Sequence, residues 1–185
     1  MEDTVKTLYS IIGEIGRDKI QRDITLNIET SRQYIETILT QCRRIPDFTT
    51  IETLGSITEA LLHFMLTAST IPSVRKVSIN HIKLDIVIPN IHTLRNFPDK
   101  AIVIKIIKEG ENISKEEQQK IKNIQSNQDN LWVVSKEPFM GDYINYIVDP
   151  RNSMNTSMRR SFYDIMVDID SFLQRIRDRS FRFFH

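Results

Sequence analysis

The chain is expected to form a mixed α/β domain with flanking helices, because two kinds of hydrophobic periodicity follow one another along it. Over residues 5–65 apolar side chains recur every three or four positions, the spacing of one helix face. Between residues 74 and 148 they gather into short runs rich in Val and Ile and bounded by Pro, Asn and Gly, the pattern of strands. A helical segment interrupts these runs and a long amphipathic one follows them. The order is helices, a strand cluster, helix, strand, then helix, which describes an α/β core with helical additions at both ends.

Each element has its own warrant. Val5, Leu8, Ile11, Ile12 and Ile15 line one side of a first helix that Gly16 ends. A second helix is expected over 24–44, carrying Ile28, Ile35, Ile38 and Leu39 and closed by Pro46. A third begins near Thr50 with Leu54, Ile57, Leu61, Leu62 and Met65, although Gly55 interrupts its first turn, and it stops before Pro72. Residues 74–80 alternate Val74, Val77 and Ile79 with polar neighbours. Asn80-His81 is a turn, and 82–88 is a second strand ended by Pro89-Asn90. A linker containing Pro98-Asp99 leads to a third strand over 101–107, broken by Glu109-Gly110-Glu111. Ser114-Lys115-Glu116-Glu117 forms a capping box for a helix reaching about Gln125. Strands are expected at 131–134 and 143–148, the latter ended by Asp149-Pro150. The final helix runs over 156–177 on a stripe of Phe162, Ile165, Met166, Ile169, Leu173 and Ile176.

Composition narrows the function classes. The 185 residues are 40% hydrophobic and 26% charged, ordinary values for a soluble globular protein. Lys plus Arg number 25 against 24 Asp plus Glu, so total charge favours neither nucleic acid nor membrane. Cys42 alone excludes an internal disulfide framework and fits a cytoplasmic location. No apolar run spans a bilayer, and the acidic start Met1-Glu2-Asp3-Thr4 is unlike an export signal. With 5 glycines and neither GxGxxG nor GxxxxGK[ST], a glycine-rich nucleotide cradle is not expected.

The informative feature is Lys105, set inside Ala101-Ile102-Val103-Ile104-Lys105-Ile106-Ile107. A run so apolar and β-branched reads as a strand covered on both faces, where a lone ammonium is costly unless paired. Asp85, inside Ile82-Lys83-Leu84-Asp85-Ile86-Val87-Ile88, is the matching acid in a neighbouring strand-like run. Side-chain alternation puts His81, Lys83 and Asp85 on one face and Val103 and Lys105 on one face of theirs. Glu59, on the helix just before the sheet, can join them.

A helix acid, a strand acid and a strand lysine, continued by a β-α-β pattern, make residues 50–135 resemble the PD-(D/E)XK nuclease superfamily. The resemblance implies a restriction-endonuclease-like central sheet of about four or five strands, with N-terminal helices and a long C-terminal helix. It implies Mg²⁺-dependent phosphodiester cleavage, with Glu59 as the helix acid, Asp85 as the metal acid and Lys105 as the lysine that positions or activates the attacking water. Glu59 and Asp85 would be the metal ligands. The chain departs from the pattern at Val103, where the family has an acid two residues before its lysine, and at Leu84, where it has proline. A migrated acid could be Glu109 or Asp99. With Val103 in place, a nucleic-acid-associated protein whose catalysis is weakened or lost is the expectation.

Other readings stand beside this one. Asp85 and Lys105 could be a buried ion pair that only fixes strand register, in a non-enzymatic assembly protein that uses its terminal helices for self-association or partner binding. His63, near the apolar face of the third helix, reads as a packed histidine, and no spacing of His, Cys and acids points to zinc. Arg75, Lys76, Lys83, Arg159 and Arg160 are candidate contacts to DNA or RNA phosphates. Arg177, Arg179 and Arg182 interleave with Phe181, Phe183 and Phe184, whose rings are expected to dock on the core or on a second copy, giving a dimer. The expected organisation is an N-terminal helical segment over 1–48, a nuclease-like core over 49–150 and a C-terminal helix with a basic-aromatic tail over 151–185, joined in one compact domain.

Overall fold

A computed structural model of the chain describes residues 2–108, 115–138, 143–148 and 158–181. Four helices come first: α1 (Glu2–Ile15), α2 (Arg17–Leu26), α3 (Thr30–Cys42) and α4 (Ile51–Ala68). The hairpin β1 (Val74–Ile79) and β2 (Ile82–Ile88) follows, then α5 (Ile91–Asn96), β3 (Ile102–Ile106), α6 (Lys115–Ile124), β4 (Leu131–Ser135), β5 (Ile144–Ile147), β6 (Arg159–Ser161) and α7 (Ile165–Phe181). The mixed α/β class read from the sequence is the observed one.

Local chemistry sets these boundaries. Gly16 adopts φ 103°, a left-handed conformation that suits glycine, and separates α1 from α2. The single helix expected over 24–44 is two helices. Asn27 turns extended, and its side chain accepts the Glu29 N–H, stopping α2 although the apolar spacing runs through Ile28. Thr50 caps α4 by accepting the Thr53 N–H at 3.2 Å. Asn80 and His81 both take positive φ, 50° and 64°, so Ile79 pairs with Ile82 across a two-residue turn.

The six strands lie side by side in chain order. β2 runs antiparallel to both its neighbours, β1 and β3, whereas β3 through β6 run parallel. That is one strand beyond the four or five expected. The addition is β6, three residues within the segment taken as the start of the C-terminal helix. Arg159 and Arg160 are therefore strand residues, and a short 3₁₀ turn at Phe162–Asp164 leads from the strand into α7. The expected linker around Pro98-Asp99 contains α5, capped by Asn90 accepting the Thr93 N–H at 2.8 Å, and a 3₁₀ turn at Pro98–Lys100. Glu109-Gly110-Glu111, Ser114, Asp149-Pro150, Thr156 and the tail beyond Phe181 lie outside the described residues.

Two apolar layers sandwich the sheet. One unites residues of α1 to α4 and α7 with Ile86, Ile88, Ile102, Ile104, Ile106, Trp132, Val134 and Tyr146. The other joins Leu94 of α5 and Ile121 of α6 to Leu84, Val87, Val103, Leu131 and Val133. Strand alternation predicts this division, with one exception. Leu84 and Val87 share a layer while Ile86 lies in the opposite one, so the alternation of β2 breaks at Asp85. The face shared by His81, Lys83 and Asp85 in the sequence reading does not extend through that break.

Helix α4 runs close beneath the end of β3. A Cβ added at Gly55 would lie 2.8 Å from the Cα of Lys108 and 2.9 Å from the carbonyl oxygen of Ile107. Glycine is thus required for this approach, not for a special backbone angle. Replacing Gly55 by alanine should lower stability by about 1–3 kcal/mol, because the obstructing atoms are backbone. Urea unfolding of Gly55→Ala beside the wild type checks this; an unchanged midpoint would mean that the chain at 107–108 yields without cost.

Candidate active site

Asp85 stands where two strands part. The β2–β3 ladder pairs Ile88 with Ile102, Val87 with Val103 and Ile86 with Ile104, and stops there. Beyond it the Asp85 carboxylate takes over from the backbone: its Oδ2 accepts the Ile106 N–H at 2.8 Å. On the other side, the paired positions of β1 and β2 pass over Lys76 and Asp85, and Lys76 has φ 50°. An acid at this point satisfies a donor that the diverging strands would leave unpaired.

Lys105 and Glu59 arrive from neighbouring elements. Lys105, near the end of β3, has its Nζ 3.9 Å from Asp85 Oδ2. Glu59 projects from α4, with its side chain only 9% exposed and Asp85 only 13%. The structure thus brings together the helix acid, the strand acid and the strand lysine singled out in the sequence.

It also adds two groups that the sequence reading did not assign to the site. The first is Lys108, two residues past β3. Its Nζ lies 2.7 Å from Glu59 Oε2 and 3.2 Å from Asp85 Oδ1, bridging the two acids. The second is Glu117 in the first turn of α6, whose Oε1 is 3.7 Å from Lys105 Nζ. At 39% exposure the Glu117 side chain lies at the outer side of the cluster. Glu117 had been read only as part of a capping box. The signal that could have found it is topological: the helix leaving a parallel strand returns over the carboxyl end of the sheet, where open α/β folds place their sites. Asp99, the other acid considered, lies before β3 at its opposite end and accepts from Asn127.

Electrostatics favours the charged forms. Burial pushes the Glu59 carboxyl upward, but the hydrogen bond and charge of Lys108, followed by Arg75, outweigh it and hold the group below its ordinary range. Burial similarly works against the Lys108 ammonium, and Glu59 together with Asp85 more than offsets it, raising the lysine above its usual value. His63, one turn along α4 from Glu59, is held low first by burial and then by Arg75; its Nδ1 is buried without a partner among the described residues.

The basic candidates divide in two. Arg75 donates to Glu59 Oε1 at 3.2 Å, and Arg160 donates to Asp168 Oδ2 at 2.8 Å, so both guanidinium groups face inward to acids. Lys76 and Lys83 are exposed on the hairpin, and Arg159 is half-buried on the edge strand.

A divalent ion is what the resemblance implies, and the donor set can be tested against it. Carboxylate oxygens are the hard donors that Mg²⁺ prefers, and one or two of them commonly suffice alongside substrate phosphate and water. Glu59 and Asp85 supply such a pair, and the shared ammonium of Lys108 is a positive centre standing between them. The pair therefore fits a divalent ion, although no group of three or more His, Cys, Asp or Glu arranged to hold a metal occurs among the described residues. No described helix is long and apolar enough to cross a membrane.

No protein-family model matches the chain. No curated protein matches it either. Among solved structures it is similar to the restriction endonuclease PspGI–substrate DNA complex, at 18% identity and a TM-score of 0.62, over 93% of this chain and 93% of that one. It is also similar to metal-depleted Ecl18kI in complex with uncleaved, modified DNA, at 13% identity and a TM-score of 0.62, over 93% of this chain and 79% of that one. At these identities the likeness speaks for the fold, which is restriction-endonuclease-like.

Proposed function

We propose that this chain is a DNA-associated protein with a nuclease-like centre, in which Glu117 stands in for the acid missing at Val103 and hydrolysis is attenuated. The observation that carries the reading is the setting of Lys105, whose ammonium lies between Asp85 Oδ2 at 3.9 Å and Glu117 Oε1 at 3.7 Å, where the strands diverge. A lysine kept solely as a structural counter-ion needs one buried partner. A second acid from another element, at the more exposed side, leaves the ammonium facing toward substrate. DNA is preferred to RNA because the similar structures named above are DNA complexes.

In this reading Glu59 and Asp85 would hold Mg²⁺, which would supply charge stabilisation at the phosphoryl oxygens. Asp85 is oriented for that task by the Ile106 N–H, which fixes one of its oxygens. Lys105 holds the attacking water, and its position is kept by acids on both sides. Glu117 accepts a proton from that water or orients it. Attenuation follows from Lys108 and Arg75, which already neutralise the carboxylates that the ion needs. Lys76 and Lys83, exposed beside the cluster, supply phosphate contacts, with Arg159 at the far edge of the sheet; Arg75 and Arg160 could contribute only by leaving Glu59 and Asp168.

The test is Mg²⁺- or Mn²⁺-dependent cleavage of labelled single-stranded, duplex and branched DNA and RNA. Slow cleavage of DNA is expected, falling about 100-fold or more in Asp85→Ala, Lys105→Ala and Glu117→Gln. No cleavage and no salt-sensitive binding to any substrate would remove this reading and favour a partner-binding protein with a structural ion cluster.

A separate measurement addresses the hairpin. Lys76→Ala and Lys83→Ala should each weaken DNA binding and reduce the slope of log affinity against log salt by about one. Slopes equal to the wild type would place the phosphate contacts elsewhere.

A further inference from the structure

The position of Lys108 is built by the fold. Its backbone follows Ile107, whose N–H donates to Val134 O at 2.9 Å and so remains attached to β4. On the other side the chain presses on α4 at Gly55, where even a methyl group would meet Lys108 Cα at 2.8 Å. One turn further along α4 stands Glu59. The side chain spans from this fixed point to two carboxylates on separate elements, and remains 29% exposed itself. Lysine has a flexible four-carbon stem, so its ammonium can withdraw toward solvent while the backbone stays in place.

We propose that Lys108 is the resident counter-ion of the Glu59–Asp85 pair and competes directly with a divalent cation for the same position. The inference rests on reading those two acids as ion-holding groups, and adds that this chain carries its own substitute for the ion. The Lys108 ammonium is the positive charge that both carboxylates share, while Arg75 touches Glu59 alone and Lys105 lies beside Asp85 alone. A divalent ion can enter only when the ammonium leaves, so divalent affinity is set by the lysine as much as by the acids. The departing ammonium would lie at the exposed side of the cluster, where a phosphate can receive it. Without such an anion the outward state is disfavoured. The device keeps the centre closed to divalent ions when nucleic acid is absent.

The experiment is direct Mn²⁺ binding, read from the electron paramagnetic resonance signal of the free ion. The proteins are the wild type, Lys108→Met and the double variant Lys108→Met/Asp85→Asn, each without nucleic acid. Lys108→Met should bind one Mn²⁺ about tenfold or more tightly than the wild type, with the gain lost in the double variant. Equal affinity in wild type and Lys108→Met would overturn the proposal. Because the substitution leaves two carboxylates facing one another, Lys108→Met is also expected to melt at a lower temperature and to recover with millimolar Mn²⁺. A Lys108→Met chain that stays unfolded at that concentration counts against the proposal equally. Cleavage assays separate this inference from the nuclease reading. Tighter Mn²⁺ binding with no cleavage by either chain supports the role of Lys108 and removes the enzyme. Cleavage by the wild type with no gain in Mn²⁺ affinity does the reverse.

Discussion

Two carboxylates held out of water constrain the rest of this molecule. Glu59 and Asp85 come from a helix and from the second strand after it, and cations stand against both. Lys108 joins both acids, Arg75 serves Glu59, and Lys105 lies beside Asp85. Desolvating such groups is expensive, and mutual attraction offsets the cost only when geometry and hydrogen bonds are good. The fold meets that requirement by tying α4, β1, β2 and the end of β3 to one charged centre. Even the irregularity of β2 belongs to it, since Asp85 takes the Ile106 N–H where regular pairing ceases.

Much of this could be read from the sequence because the signal was a violation. A lysine within five consecutive buried strand positions, and an aspartate within the adjacent strand, break the apolar pattern that predicts the strands themselves. Lys108 and Glu117 broke no pattern. One follows a strand and precedes Glu109-Gly110-Glu111; the other belongs to a polar first turn of a helix. Both look like solvated surface residues until three-dimensional proximity is known. Asp99 and Glu109 are acids near Lys105 in sequence, whereas Glu117 reaches it from the helix that follows the strand.

The misread elements have similar explanations. β6 is three residues, two of them arginine, and no hydrophobic alternation marks it; parallel pairing with β5 makes it a strand. α5 is six residues, announced only by the cap at Asn90. The break between α2 and α3 depends on one asparagine side chain inside an apolar spacing that continues unaltered through it. Short-range polar chemistry decided these cases, and hydrophobic periodicity is blind to it. Arginine runs misled in another way. Arg160 extends from the edge strand to Asp168 on α7, and Tyr146 donates to the same carboxylate at 2.7 Å, so this arginine helps close the core.

The two borders of the sheet are formed by β1 and β6, and each presents charge in an awkward form. β1 carries Arg75 and Lys76, the latter in a left-handed backbone conformation, and β6 is short and carries Arg159 and Arg160. Continuing the ladder onto another chain would require flattening that kink at β1, or pairing with only three residues at β6. Among the described residues, the kink at Lys76 and the brevity of β6 make either border a poor template for a strand from another chain.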